Sequence, residues 1–186
     1  IGAEKGILRH FREDVRENGL WCESTLNYHL AMIRDLAACS ELLYHAGFDL
    51  YRLDRYRRMY TVPFRFAEPD RGVIPGWGDG GNFCIDQYQE AFAAYELFYH
   101  RTGEPSVGAL LKRGSQRGRY MVGPLFIEDT WRGVSDARRP PACDAMNDHG
   151  MAVVRSGRGV NAKYARLNYL ADIGNHRQKE SLELVV

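Results

Sequence analysis

Three short segments of the chain concentrate side chains that move protons, stack on rings or hold polar groups in place. The first is Gly19-Leu20-Trp21-Cys22-Glu23-Ser24-Thr25-Leu26-Asn27-Tyr28-His29. It sets Trp21, Glu23, Tyr28 and His29 at a loop-to-helix junction, where polar tips could converge on a cleft. Tyr28 and His29 are adjacent, so on a helix they point about 100° apart and cannot both face one spot. The plainer reading is a helix cap at Ser24 or Thr25, followed by a core tyrosine and a surface histidine.

The second segment is the loop Gly72-Val73-Ile74-Pro75-Gly76-Trp77-Gly78-Asp79-Gly80-Gly81-Asn82. Its glycines let backbone approach a ligand, and Trp77 is suited to stacking on a sugar ring. A rigid turn with Asp79 or Asn82 capping the next helix explains the same residues, and the two readings are compatible. No GxGxxG follows a strand, so this is not a dinucleotide loop. The third segment, Gly174-Asn175-His176-Arg177-Gln178-Lys179-Glu180-Ser181-Leu182, places His176 in a polar connection between strand-like stretches. A loop histidine is either a solvated residue or a group presented to substrate.

The elements that must carry these residues follow from periodicity and punctuation. Gly6 to Arg16 reads as a short helix ended by Asn18-Gly19. A long helix follows to about His45, with Leu26, Leu30, Ile33, Leu36, Ala37, Leu43 and Ala46 along its apolar stripe and Gly47 as its stop. Leu50 to Tyr60 predicts a third helix, Arg65 to Asn82 a long loop, and Phe83 to Arg101 another helix. Pro105 suits the first turn of a short helix to Lys112. The period then shifts to two, with strands predicted over Met151–Arg155 and Tyr164–Tyr169 and an alternating stretch at Ser181–Val186. Helices first and strands later give an α+β class, with 1–114 helical and 115–186 the β region. A chain that starts without Met and stops on an alternating strand is expected to be a piece of a larger protein.

Composition excludes several classes. With 25 Lys and Arg against 24 Asp and Glu, the formal charge is +1, which provides no global field for nucleic acid. No stretch is long and apolar enough for a membrane span. Cys22, Cys39, Cys84 and Cys143 are scattered without metal-ligand spacing, so no metal site is expected from them and buried free thiols are.

Taken together, the order and spacing of the three segments resemble the heparinase II/III-like polysaccharide lyases and related alginate lyases. Asn18 to His29 is similar to that family's helix motif, with Trp21, Glu23 and Tyr28-His29 in place. Asn18 stands for the usual Asp, and Ser24-Thr25 for the usual Gly-Ser. Pro75 to Asp79 resembles its proline and Gly-Asp loop. Asp148-His149-Gly150-Met151-Ala152-Val153-Val154-Arg155 resembles the opening of its β domain, and Gly174 to Leu182 a degraded copy of its last motif.

The resemblance implies the C-terminal part of an (α/α) toroid followed by the start of an antiparallel β-sandwich. It implies β-elimination on a uronic-acid-containing glycan, with Tyr28 and His176 as proton-transfer residues. Trp21, Glu23, His29, Trp77, Asp79 and Arg155 would contact the acidic polysaccharide. The carbon acid beside a uronate carboxyl is very weak, so charge spreading onto that carboxylate needs stabilisation, and a tyrosine suits a proton shuttle beside cations. Gln178 stands where the family often has a metal-linked histidine, and an amide is a poor zinc ligand, so no metal and no cofactor are expected. The earlier helix that supplies the family's carboxylate-neutralising Asn or His has no counterpart before Ile1, and His10 is too near the first motif to replace it. The expected location is periplasmic or secreted. The competing readings are a non-catalytic carbohydrate-binding or scaffold protein on the same fold, and a toroid glycoside hydrolase using carboxylates such as Glu23 and Asp79.

Overall fold

The computed structural model describes residues 6–23, 25–68, 73–76, 83–84, 89–114, 140–169 and 183–185. Helix α1 spans Ile7–Glu13, and the chain then reverses so that Val15 bridges Trp21 antiparallel. Two residues make the reversal. The Asn18 carboxamide oxygen accepts from the Leu20 amide at 2.8 Å, and Gly19 adopts φ +99°, a conformation that favours glycine.

Helix α2, Leu26–His45, is the long one. Thr25 is its N-cap residue by position, but its side chain makes no capping hydrogen bond. At the other end the expected stop is present: Gly47 takes φ +86°, its amide donates to Tyr44 O, and the Phe48 amide donates to Leu43 O. Those paired bonds satisfy carbonyls the last turn would otherwise leave open. Leu26, Leu30, Ile33 and Ala37 are buried, whereas Leu36 and Leu43 are only partly so.

A 3-10 turn at Leu50–Arg52, helix α3 (Asp54–Thr61) and a second 3-10 turn at Val62–Phe66 follow. The helix expected from Phe83 begins six residues later, as α4, Gln89–Thr102. Phe83–Cys84 instead form strand β2, antiparallel to β1 (Val73–Ile74). Helix α5, Pro105–Gly114, opens on its proline, where the missing N–H costs nothing.

Rings fill the helical core. Tyr60 stacks on Phe98 with centroids 4.0 Å apart, and Tyr56 meets Tyr60 edge-on at 5.3 Å. Their hydroxyls are satisfied inside: Tyr56 OH is 2.9 Å from Tyr60 OH and 2.6 Å from Ser40 Oγ, which donates to Leu36 O. Tyr51 donates to Glu41 at 2.7 Å, and Arg101 grips the same carboxylate with two bonds, at 3.0 and 2.6 Å.

Among the described residues of the β region, four strands form an antiparallel sheet in sequence order: β3 (Cys143–Met146), β4 (Met151–Ser156), β5 (Lys163–Asn168) and β6 (Glu183–Val185). β4 and β5 lie where period two placed them, within a residue. β3 was not foreseen, because its alternation is short and follows Pro140-Pro141. In β6, Leu184 pairs with Leu167 but is 65% exposed, so its apolar side chain does not face a core. The class is α+β. Met146, Met151 and Val153 join the same hydrophobic cluster as the helices, so sheet and helical region share a core.

Cys22 is half-buried and Cys39 and Cys143 are exposed, all three as free thiols, which corrects the expectation of burial. No described helix is long and apolar enough to cross a membrane.

Candidate functional site

The loop-to-helix junction is held by bonds that start at backbone and end in the core. The Trp21 amide donates to His29 Nδ1 at 3.1 Å, and His29 Nε2 lies 2.9 Å from Met59 O. A ring that accepts at Nδ1 and donates from Nε2 is the neutral tautomer. His29 is completely buried, and that burial lowers its pKa to about 4. The surface histidine of the plain reading is therefore a core residue, and the ring expected to meet substrate is engaged at both nitrogens, by the Trp21 amide before α2 and by the Met59 carbonyl of α3. The tyrosine is also reversed: Tyr28, one residue earlier, is 38% exposed. The 100° offset of neighbours on a helix decides both placements once one of them faces α3.

Trp21 is half-buried, and its indole N–H donates to Glu23 Oε2 at 3.0 Å. The two residues line a cavity of about 440 Å³ between α1, the turn and α2. Met32 and Leu36 supply the α2 side of that cavity. They lie four and eight residues beyond Tyr28, about 40° and 80° round the helix from it, and Tyr28 is not among the lining residues.

Arg155 was expected to contact substrate. It is 4% exposed, and its guanidinium donates to Ala67 O at 2.7 Å, to Pro141 O at 3.2 Å and to Arg65 O. Burial lowers its pKa. The correction has a plain cause: β4 alternates, and Arg155 falls on the buried face with Met151 and Val153, so its cation is taken up by carbonyls of the packed neighbour. The arginines of α3 behave alike. Arg55 holds the carbonyls of Phe11, Arg12 and Val15 and pairs with Glu17, Arg58 donates to Glu17 O at 2.8 Å, and Arg57 faces Glu104 at 3.6 Å.

Sequence reasoning missed the residues that join the sheet to the helical region. Asp148 accepts from the Asn18 amide at 3.0 Å and from its Nδ2 at 2.8 Å. Arg65 pairs with Asp144 through two bonds, at 2.8 and 2.5 Å. Arg166, fully buried on β5, donates to Pro75 O at 2.6 Å and Gly76 O at 2.7 Å. The first segment, the start of the glycine-rich loop and the Asp148–Arg155 stretch are thus joined to one sheet. An arginine in phase with the apolar face of a strand was the available signal. His176, Trp77 and Asp79 lie outside the described residues, so the separation of Tyr28 from His176 is not part of this geometry. Among the described residues no three His, Cys, Asp or Glu side chains group as a metal site.

Comparison of the chain with protein-family models, with curated proteins and with solved structures gave no match.

Proposed function

We propose that this chain carries part of a β-elimination site for a uronic-acid-containing polysaccharide, on the end of an (α/α) toroid and the first strands of an antiparallel β-sandwich. The observation that supports it best is an exposed phenol, Tyr28, on a rigid mount. Four other tyrosines of the helical region are unsuited to carrying a proton to or from a ligand. Burial pushes the pKa of Tyr56 up to about 12, and it raises Tyr51, Tyr60 and Tyr95 as well. Tyr44 is exposed to the same degree as Tyr28 but stands sixteen residues further along α2, away from the loop-to-helix junction.

In this reading a base removes the proton beside the uronate carboxyl, an acid protonates the leaving glycosidic oxygen, and an unsaturated sugar is released. Tyr28 serves as the acid or acid/base, and His176 as the second proton-transfer residue. Trp21, Glu23, Trp77 and Asp79 shape the groove for an acidic glycan, outside the cell or in the periplasm. His29 orients the junction from within, and Arg155 fixes the sheet.

The test is turnover. The protein is offered alginate, heparan and hyaluronan, and unsaturated product is followed by its near-ultraviolet absorbance. Tyr28→Phe should lower turnover by about 10²–10⁴-fold with glycan binding kept. An unchanged rate would remove Tyr28 from the mechanism, and no product on any uronate polymer would count against the lyase.

One observation favours a non-catalytic glycan-binding protein on the same architecture: His29 and Arg155, both expected at the substrate, are consumed by the fold. Glycan binding that survives substitution of both Tyr28 and His176, with product never seen, would decide for it. A saturated reducing-end product would indicate hydrolysis instead.

A further inference from the structure

The cavity beside Trp21 has a chemistry of its own. Phe11, Val15, Met32 and Leu36 make apolar walls, and the Trp21 ring lies among them. Its volume of about 440 Å³ falls within the range of small-molecule sites, roughly 300–1,000 Å³. The ionisable groups lining it are the carboxylates of Asp14 and Glu23, the His10 imidazole and the Cys22 thiol. His10 Nδ1 is 2.5 Å from Asp14 Oδ2, and Glu23 Oε2 accepts from Trp21 Nε1. Among the described residues, neither lysine nor arginine lines it. Arg9 turns to Glu13 at 2.7 Å, and Arg16 acts on Cys22 from outside the lining.

We propose that this cavity is a binding site for a small amphiphilic amine, with an aromatic or branched aliphatic body and a protonated amino head. The body displaces water from the apolar walls. The head meets Asp14 and Glu23 as opposite charges, with an aromatic face beside it. The Cys22 thiol senses the same field: burial first, then Asp14 and Glu23, raise its pKa. A uronate carboxylate would meet both side chains as a like charge and is rejected on those grounds. The cavity shares Trp21 and Glu23 with the groove proposed above, so the amine and the uronate compete for these side chains; the amine site rests on the cavity alone and not on the lyase reading.

Calorimetry on the full chain at neutral pH, with phenethylamine, phenethyl alcohol and hydrocinnamate as probes, tests it. These share a body and differ in the charge of the head. The amine should bind at least about tenfold more tightly than the alcohol, with the carboxylate weakest, and added salt should narrow the gap. The double variant D14N/E23Q should abolish the preference for the amine, with its far-ultraviolet dichroism and melting unchanged. Leu36→Trp, which fills the cavity without touching a charge, should weaken amine and alcohol alike. Binding of the carboxylate as tight as the amine would overturn the proposal. So would no heat from the amine up to millimolar concentration, an amine preference that survives D14N/E23Q, or self-association of the chain through this face.

Discussion

At the scale of single residues, His29 shows how a side chain attractive for chemistry can be spent on the fold. Its neighbour Tyr28 was legible as a candidate from type and spacing, but which of the two would face outward was not. That depended on α3 lying against α2, a contact between residues 30 apart. The neutral ring carries a pH prediction. His29 has its pKa lowered from the ordinary 6.5 to about 4 by burial, so between those values the unfolded chain takes up a proton that the folded chain refuses. Stability contributed by the neutral ring is complete above 6.5 and is lost as pH falls toward 4, by about 3 kcal/mol in all. Urea midpoints measured in steps from neutral pH to 4.5 should fall, and His29→Gln should flatten that slope. Glu41, whose pKa the Arg101 hydrogen bonds lower, adds its own loss of stability once pH falls through the ordinary carboxylate value of 4.5, so the comparison with His29→Gln isolates the histidine part.

At the scale of elements, turn chemistry was the most legible layer. Gly47 and Pro105 each do what their types imply, whereas Asn18-Gly19, expected to end the first helix, turn the chain back after α1 has already stopped at Glu13. The apolar stripe of α2 was right where Leu26, Leu30 and Ile33 are buried, and too generous at Leu36 and Leu43, since periodicity gives a face but not how much of it is covered. The start of α4 was misplaced because Phe83-Cys84 fit either a helix face or a short strand, and pairing with Val73-Ile74 decided. Gly19 does more than turn the chain. A Cβ there would sit 2.4 Å from the Arg58 carbonyl carbon, on a backbone already at φ +99°. Gly19→Ala should therefore cost about 2–4 kcal/mol, read by chemical denaturation. The shift should also reach the Trp21 amide, seen as a changed indole emission.

For the molecule as a whole, the sequence showed an α half and a β half but not what joins them. Around the core they share, the joints are polar: Asp148 with Asn18, Asp144 with Arg65, and two arginines with backbone carbonyls. Nothing in a single sequence pairs an arginine with a carbonyl 88 residues away, as between Arg155 and Ala67. Arg155→Met should destabilise by about 2–4 kcal/mol, since the carbonyls it serves lose their donors on a buried face. Arg155→Lys should recover little, because an ammonium lacks the planar fork that reaches several acceptors. Urea unfolding of the three proteins side by side checks both statements, and equal midpoints would remove Arg155 from the joint.

The hold of Arg166 on Pro75 and Gly76 has a further consequence. Its two bonds go to main-chain oxygens, which every amino acid possesses. Such an anchor is blind to the identity of the residues it fastens. Side chains beyond that point can be exchanged over generations, and whatever they recognise can drift, while the place where the strand pair meets the sheet stays put.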